Sequence, residues 1–256
     1  MSASAQLEQV VRPELSFVFP VFDEEQNIGT VIESARQIGE ELKRDFEVIV
    51  VDDGSRDSSP HIISKWMQAD TRIRGVRHPR NAGYGAALRS GLAEAKGDLV
   101  FFSDSDLQFD LGEIRHLLAH TRDFDIVAGY RFPRRDPWPR IAIARLWRRI
   151  VQGLFGLRVR DIDCAFKLFH RRVIESISLA SVGAFINTEL LVRAKAAGFR
   201  IREVPVTHRR RQHGSQTGAR PKVLVRAALE LGSLYRELKR AARTDKTRSP
   251  SRANLG

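Results

Sequence analysis

Asp98-Leu99-Val100-Phe101-Phe102-Ser103-Asp104-Ser105-Asp106-Leu107-Gln108 is the stretch from which the rest of the chain reads. Four apolar residues, Leu99 to Phe102, end abruptly in two carboxylates spaced by one residue, followed by a side-chain amide. A short apolar run of this kind fits a buried strand in a parallel sheet. Oxygen-bearing side chains at alternate positions just past its end can converge on one hard cation. Mg²⁺ and Mn²⁺ prefer such oxygens and keep open positions for substrate phosphates. The plain alternative is an Asp- and Ser-rich turn.

The neighbouring segments weigh on that choice. Leu15 to Pro20 reads as a first strand, and Ile28, Val31, Ile32, Ala35, Ile38 and Leu42 then recur at helical spacing. A second strand, Phe46 to Val51, runs into Asp52-Asp53-Gly54-Ser55-Arg56-Asp57 and a helix over 59–69. Ile73 to Arg77 is a third strand. Asn81-Ala82-Gly83-Tyr84-Gly85 then enters a small-residue helix that closes near Gly97. After the opening strand comes a helix around 111–120, and Asp125 to Tyr130 is a fifth strand. Strands alternating with helices through short connections predict an α/β fold with a doubly wound, mostly parallel central sheet. Ligands bind such sheets at the carboxyl ends of the strands. The acidic or polar loops 20–27, 52–57 and 103–108 all fall at those ends. No phosphate-cradling glycine loop is present, so a nucleotide would be held by its base, its ribose and a metal-bound diphosphate. Asp52 and Asp53 can accept from base and ribose; Asp104, Asp106 and Gln108 can hold the metal.

Composition narrows the class. The 256 residues suit one large domain, and no run reaches the roughly 18 apolar residues that span a bilayer. The start of the chain lacks the apolar core of a signal peptide, and the single Cys164 permits no internal disulfide. A reducing, cytoplasmic setting is the expectation. The net charge of +12 calls for an anionic partner. The basic residues are concentrated: Arg131 to Arg172 holds twelve Arg or Lys against three Asp, and a second cluster runs from His208 to Arg226. Nucleic acid is not the expected partner, and a basic nucleic-acid-binding protein is the distant alternative, because no recognition helix, zinc site or aromatic RNA-binding signature accompanies the charge.

The second half has a different texture. Residues 131–140 read as a basic, proline-bearing loop, and 141–155 as a helix with Trp147, Ile150, Val151 and Leu154 in one stripe beside Arg145, Arg148 and Arg149. Such a helix can lie on an anionic membrane or dock on the domain. A strand from Phe166, a helix over 185–197 and a last strand over 201–207 follow. The glycine-bearing loop 208–218 could fold over a phosphorylated ligand. Residues 222–241 form an amphipathic helix. The expected organisation is a flexible stretch 1–13, one domain over 14–241 in two halves, 14–130 and 131–241, and a disordered tail, 242–256.

At this point the sequence resembles a known family. Pro20-Val21-Phe22-Asp23-Glu24-Glu25, Val51-Asp52-Asp53-Gly54-Ser55-Arg56-Asp57, Asn81-Ala82-Gly83-Tyr84-Gly85 and Asp104-Ser105-Asp106-Leu107-Gln108 stand in the order found in family 2 inverting glycosyltransferases of the GT-A fold. Arg145, Asp161-Ile162-Asp163-Cys164-Ala165-Phe166-Lys167 and Glu203-Val204-Pro205-Val206-Thr207 with Arg211 and Gly214 look like the dolichol-phosphate mannose synthase, or polyprenol-phosphate glycosyltransferase, branch. The resemblance covers about 14–240. It implies donor binding by Pro20, Phe22, Glu24, Asp52, Asp53, Gly54, Asn81, Asp104 and Ser105. It places a Mg²⁺ or Mn²⁺ on Asp104, Asp106 and Gln108, and an acceptor phosphate on Arg131 and Arg145. Asp106, Asp161 and Arg211 become the catalytic set, with Arg211 on the donor diphosphate and Asp161 near the reacting sugar.

The resemblance has departures: Phe22-Asp23 stands where Tyr or Thr and then Asn are usual, Ala144 where a Ser commonly precedes the acceptor-binding Arg, Ala165 where Gly is usual, and Thr217 where many relatives carry Lys. The implied reaction moves mannose or glucose from GDP-mannose or UDP-glucose to a polyprenyl or dolichyl phosphate, on the inner face of a membrane met peripherally. A family 2 enzyme acting on a soluble or polysaccharide hydroxyl is the alternative, with Asp161 then the natural base. Oligomeric state is not readable.

Overall fold

The structure is a computed structural model that describes residues 12–134, 138–211 and 221–248. Its elements run β1 (Leu15–Val21), α1 (Ile28–Glu41), β2 (Phe46–Asp52), α2 (Ser59–Ala69), β3 (Ile73–Arg77), α3 (Tyr84–Glu94) and β4 (Leu99–Ser103). A 3₁₀ turn (Leu111–Glu113) leads into α4 (Ile114–Leu118), then β5 (Ile126–Arg131), α5 (Trp138–Phe155) and β6 (Phe166–His170). The chain closes with α6 (Arg171–Ser176), α7 (Ile186–Ala196), β7 (Ile201–Val206) and α8 (Pro221–Arg248). The expected N-terminal stretch up to residue 11, most of the 208–218 loop and the tail beyond 248 lie outside the described residues.

The seven strands form one sheet in the order β3-β2-β1-β4-β6-β5-β7. Six run the same way. β6 runs antiparallel between β4 and β5, with Ser103 opposite Phe166 and Ala128 opposite Lys167. Both faces of the sheet are covered, so β1, β2 and β4 are buried at every position. Phe17, Phe19, Val48, Val50 and Phe101 face one side, where α1 packs Ile28, Val31, Ile32 and Ala35. Val18, Ile49, Val100 and Phe102 face the other, against Leu88 and Leu92 of α3, Leu190 and Leu191 of α7, and Leu231 and Leu234 of α8. Phe101 meets Phe166 and Phe17 edge-on at 4.7 and 5.9 Å. Truncating it to Ala would cost about 3–5 kcal/mol, by lost burial and by the cavity left behind.

The antiparallel strand positions the site. The carboxyl ends of β1, β2, β4, β5 and β7 lie at one edge of the sheet, since Val21 stands opposite Asp52 and Arg131 opposite Val206. Because β6 is reversed, the residues that precede it arrive at that same edge. Asp161 therefore joins the loops after β1, β2 and β4.

Several expected boundaries move. α5 begins at Trp138, inside the segment read as a loop, because Pro139 sits in the first turn, where no intrahelical N–H is needed. The expected stripe on α5 is split. Val151 is fully buried and Trp147 packs edge-on against Phe185, but Ile150 and Leu154 face outward with Ile143 and Leu146. The helix expected over 111–120 is a 3₁₀ turn followed by a short α-helix. α8 continues to Arg248, past the expected onset of the tail, as the helix-favouring Ala241, Ala242 and Arg243 allow. Among the described residues no helix is long and apolar enough to cross a membrane. Cys164 is buried, and burial pushes its thiol pKa up, as a packed residue requires.

Candidate active site

The loops after β1 and β2 are laced together by side chains that accept from, or donate to, each other's backbone. Ser55 Oγ accepts from the Asp23 N–H (3.0 Å), Ser59 Oγ from that of Glu24 (3.0 Å) and Asp57 from that of Glu25 (2.9 Å). In return Asp23 accepts from the Arg56 N–H and Glu25 from that of Ser58, each at 2.8 Å. Backbone donors at strand ends otherwise need water. Here the two loops satisfy each other, and Glu24 is held facing the cleft.

The two β2-end aspartates have separate surroundings. Asp52 Oδ1 accepts from the Ser55 N–H (2.8 Å). Its Oδ2 is buried, accepts no hydrogen bond from the described residues and is ion-paired with Arg77 Nε at 3.2 Å. Asp53 is saturated. It accepts from the Ala82 and Gly83 N–H groups (2.9 and 2.8 Å), and His78 Nδ1 lies 2.6 Å from its Oδ1. Asp53 is thus a cap on the 78–83 loop rather than an open acceptor for a nucleotide. Gly54 has φ +75, and a Cβ there would stand 2.7 Å from the Asn81 nitrogen, so this loop is pressed onto Gly54. Gly85 is explained by packing as well: its N–H donates to the Val182 carbonyl (2.9 Å), and a Cβ would meet the Gly183 carbonyl at 2.6 Å. Pro20 lies in β1, its carbonyl accepting from the buried Ser105 hydroxyl (2.7 Å), while Phe22 is exposed beside it. Ser105 therefore ties the β4 loop to β1.

Asp104 and Asp106 follow β4. Burial raises the pKa of both, and the Asp106 charge raises that of Asp104 further. Arg211 reaches across from the end of the β7 segment. Its Nη1 lies 3.3 Å from Asp106 and its Nη2 contacts Glu24. Glu24 is also raised, by burial, against the opposing pull of Asn27 and Arg211. Gln108 holds Arg211 in place. Its amide nitrogen donates to the Arg209 carbonyl (3.0 Å), the Arg209 N–H donates back to the Gln108 carbonyl (2.8 Å), and Arg209 pairs with Asp110. The expected role of Gln108 as a ligand is narrowed by this, since only its oxygen remains for a cation. Two buried carboxylates whose pKa values burial raises are nonetheless a hard-oxygen donor set suited to Mg²⁺ or Mn²⁺. Among the described residues no group of three or more His, Cys, Asp or Glu gathers at metal-binding range.

On the other side of the cleft stands Asp161, buried and paired bidentately with Arg131: Nε to Oδ2 at 2.7 Å and Nη2 to Oδ1 at 2.8 Å. Burial pushes the Asp161 carboxyl up, but Arg131 outweighs it and leaves the pKa below its usual value. This relocates Arg131, expected to receive an acceptor phosphate: its guanidinium is buried against Asp161. Other arginines stand nearer the cleft mouth. Arg145 lines a cleft beside Asp161 together with Arg134, Arg148 and Arg160. Glu203 on β7 shapes that wall, accepting from the backbone N–H groups of Arg160 (2.7 Å) and Asp161 (3.2 Å).

The Glycosyl transferase family 2 profile matches residues 16–178. The chain belongs to that family. The undecaprenyl-phosphate 4-deoxy-4-formamido-L-arabinose transferase of Aeromonas hydrophila subsp. hydrophila is a family relative, 31% identical over 202 residues. The match covers 78% of this chain and 61% of the relative, so the chain spans about three-fifths of that protein's length. Among solved structures, the glucosyl-3-phosphoglycerate synthase of Mycobacterium tuberculosis with Mn²⁺, UDP and glucosyl-3-phosphoglycerate aligns with TM-score 0.62 at 22% identity. That alignment covers 88% of this chain and 77% of that one. The same enzyme with Mg²⁺ and UDP aligns at 0.61 and 21%, over 88% and 76%. These likenesses establish the GT-A fold for this family member.

The family reading does not single out Arg160, Arg148 or Glu203, which line or shape this cleft. The concentration of Arg between 131 and 172 was the available signal for the first two. Nothing local in sequence marks a Glu on one strand as the acceptor for backbone groups some forty residues away.

Proposed function

We propose that the chain transfers a sugar, with inversion, from a nucleotide-sugar of the GDP-mannose or UDP-glucose class to a polyprenyl phosphate. The observation that carries this is the Arg131–Asp161 pair. A carboxylate gripped at both oxygens, with its pKa lowered, is a poor proton acceptor for a hydroxyl nucleophile. A phosphate nucleophile is already ionised and needs no base. The arginine cleft beside Asp161 suits it, because guanidinium groups take phosphate oxygens bidentately. The relative that acts, by its name, on undecaprenyl phosphate supports the same acceptor class.

The roles then follow from position. Glu24, Asp52, Gly54 and Asn81 contact the nucleoside, with Pro20, Phe22, Asp53 and Ser105 shaping their loops. Asp104, Asp106 and the Gln108 oxygen would hold Mg²⁺ or Mn²⁺, which when bound offsets the charge of the diphosphate. Arg211 stabilises the leaving diphosphate as negative charge develops. The acceptor phosphate, oriented by Arg145 and its neighbours, attacks the anomeric carbon from the opposite face. Asp161 stabilises the positive charge that grows on the sugar. The outward stripe Ile143, Leu146, Ile150 and Leu154 on α5, with Arg145 and Arg149 exposed beside it, supports peripheral docking on an anionic membrane.

The test is incubation with radiolabelled UDP- and GDP-sugars, Mn²⁺ and either polyprenyl phosphate or 3-phosphoglycerate. Label in the organic extract is expected. Label only in a water-soluble phosphoester, or only on a hydroxyl acceptor, would replace this reading with the soluble-acceptor one.

A further inference from the structure

Lys167 is a fully buried ammonium that no step of the proposed reaction uses. It stands on β6 opposite Phe102, with its Nζ 5.5 Å from that ring. Its hydrogen-bond acceptors are neutral, the carbonyls of Ile162 (3.2 Å) and Cys164 and Asn187 Oδ1 (2.8 Å), while the Asp161, Asp163 and Asp104 carboxyls lie within electrostatic reach of it. Burying a charge costs several kcal/mol unless hydrogen bonds repay it, and an aliphatic side chain would fill the same space without that cost. Packing alone gives no reason for a lysine here.

The acceptors define what the ammonium joins. Two are carbonyls of the turn that follows Asp161. The third belongs to α7, where the next residue, Thr188, accepts a hydrogen bond from Trp147 Nε1 at 3.1 Å. Trp147 lies on α5, the helix that carries Arg145 and Arg148. The Asp161 turn and α5 are the two walls of the arginine cleft, and Lys167 links one to the other through α7. Arg148 Nη1 reaches the Arg160 carbonyl (3.5 Å) at the rim, so a shift of either wall changes where the guanidinium groups meet.

We propose that Lys167 is a positioning residue for the acceptor phosphate: it fixes the Asp161 turn against α7 and α5, so that Arg145, Arg148 and Arg160 converge on one anion. The inference rests on the acceptor-site reading above. The hydrogen-bond acceptors of Lys167 lie outside the nucleotide loops 22–27 and 52–58, while Asp104 is within electrostatic reach of it, so nucleotide affinities are compared without divalent cation.

The experiment compares wild type with Lys167→Met and Asn187→Leu. Donor and acceptor are varied separately, melting temperatures are recorded, and affinities for UDP, GDP and decyl phosphate are measured by calorimetry. For Lys167→Met, displacement of the walls by about an ångström is expected to raise the acceptor KM about 10-fold and lower kcat 10- to 100-fold, with nucleotide affinity within about twofold of wild type. Asn187→Leu removes one of the three links and is expected to shift the acceptor KM the same way by less. The double variant should be no worse than Lys167→Met alone, as for residues of one network. Unchanged decyl phosphate affinity in Lys167→Met, or equal losses for donor and acceptor in step with melting temperature, would overturn the inference. If Lys167→Met does not fold, Asn187→Leu decides by the same readouts. If wild type moves no sugar to polyprenyl phosphate, the proposed function fails, and the decyl phosphate comparison still decides the role of Lys167. Absence of decyl phosphate binding in wild type overturns both.

Discussion

Arg131 grips both oxygens of Asp161, Nε at 2.7 Å and Nη2 at 2.8 Å, in a pair that solvent scarcely reaches. Arg131→Met would leave the buried carboxylate with the more distant Arg134 (3.7 Å) in place of its bidentate partner and should destabilise the fold by about 3 kcal/mol. Asp161→Asn should destabilise the fold too, because it strands the equally buried Arg131 guanidinium without its counter-charge. Chemical denaturation of the two single variants and the double gives the coupling. A double variant as unstable as the sum of the singles would show that the pair does not act as one unit.

Asp104→Asn and Asp106→Asn should each abolish transfer yet melt no lower than wild type in the absence of divalent cations. Burial raises the pKa of both carboxyls, and the Asp106 charge raises that of Asp104 further, so removing one buried charge relieves a desolvation cost. Wild type should gain melting temperature on adding Mn²⁺, and both variants should lose that gain. A full Mn²⁺ response in either would sink the assignment.

Arg145→Ala and Arg160→Ala should raise the acceptor KM about tenfold each, the loss of one charge-assisted hydrogen bond. The donor KM should stay level. Glu203 holds the Arg160 backbone, so trimming that side chain should leave the loop in place. Parallel losses for both substrates would point to disorder of the cleft instead.

Asp125 should contribute to acid lability. Burial raises its carboxyl pKa, but the Arg200 N–H (2.7 Å) and Arg172 (2.5 Å) outweigh that and leave it lowered. A carboxylate lowered on folding stabilises fully above its unfolded value, about 3.9, and loses that contribution as pH falls through the folded one. Asp125→Asn should be less stable at pH 7, with a shallower decline of stability below pH of about 4. Equal slopes for the two proteins would refute the assignment.

Much of the donor side was legible in sequence because its chemistry is local. Apolar runs end at Pro20, Asp52 and Asp104, and the structure puts those loops at one edge. Strand direction was not legible for β6. Phe166 to Phe169 is an apolar run apart from Lys167, and such a run looks the same parallel or antiparallel. The roles of Asp53 and Gln108 were likewise hidden. Both were read as facing ligand, and both are engaged with backbone groups far along the chain, at 82–83 and at 209. Arg131 and Arg160 were indistinguishable as basic residues. Only the pairing with Asp161 shows which one is buried.

The reversal of β6 also bears on where this chain can be divided. β5 ends at Arg131, at the sequence border between the donor and acceptor halves, yet it pairs only with β6 and β7. A fragment ending near residue 130 would keep β5 with neither neighbour and would bare the edge of β4 that β6 covers. An unpaired, apolar strand edge recruits other chains. The donor half should therefore aggregate when expressed alone, and should become soluble when co-expressed with the segment that supplies β6 and β7. The two halves of the chain are interleaved through the sheet, so a first half exchanged between relatives would have to carry β6 with it.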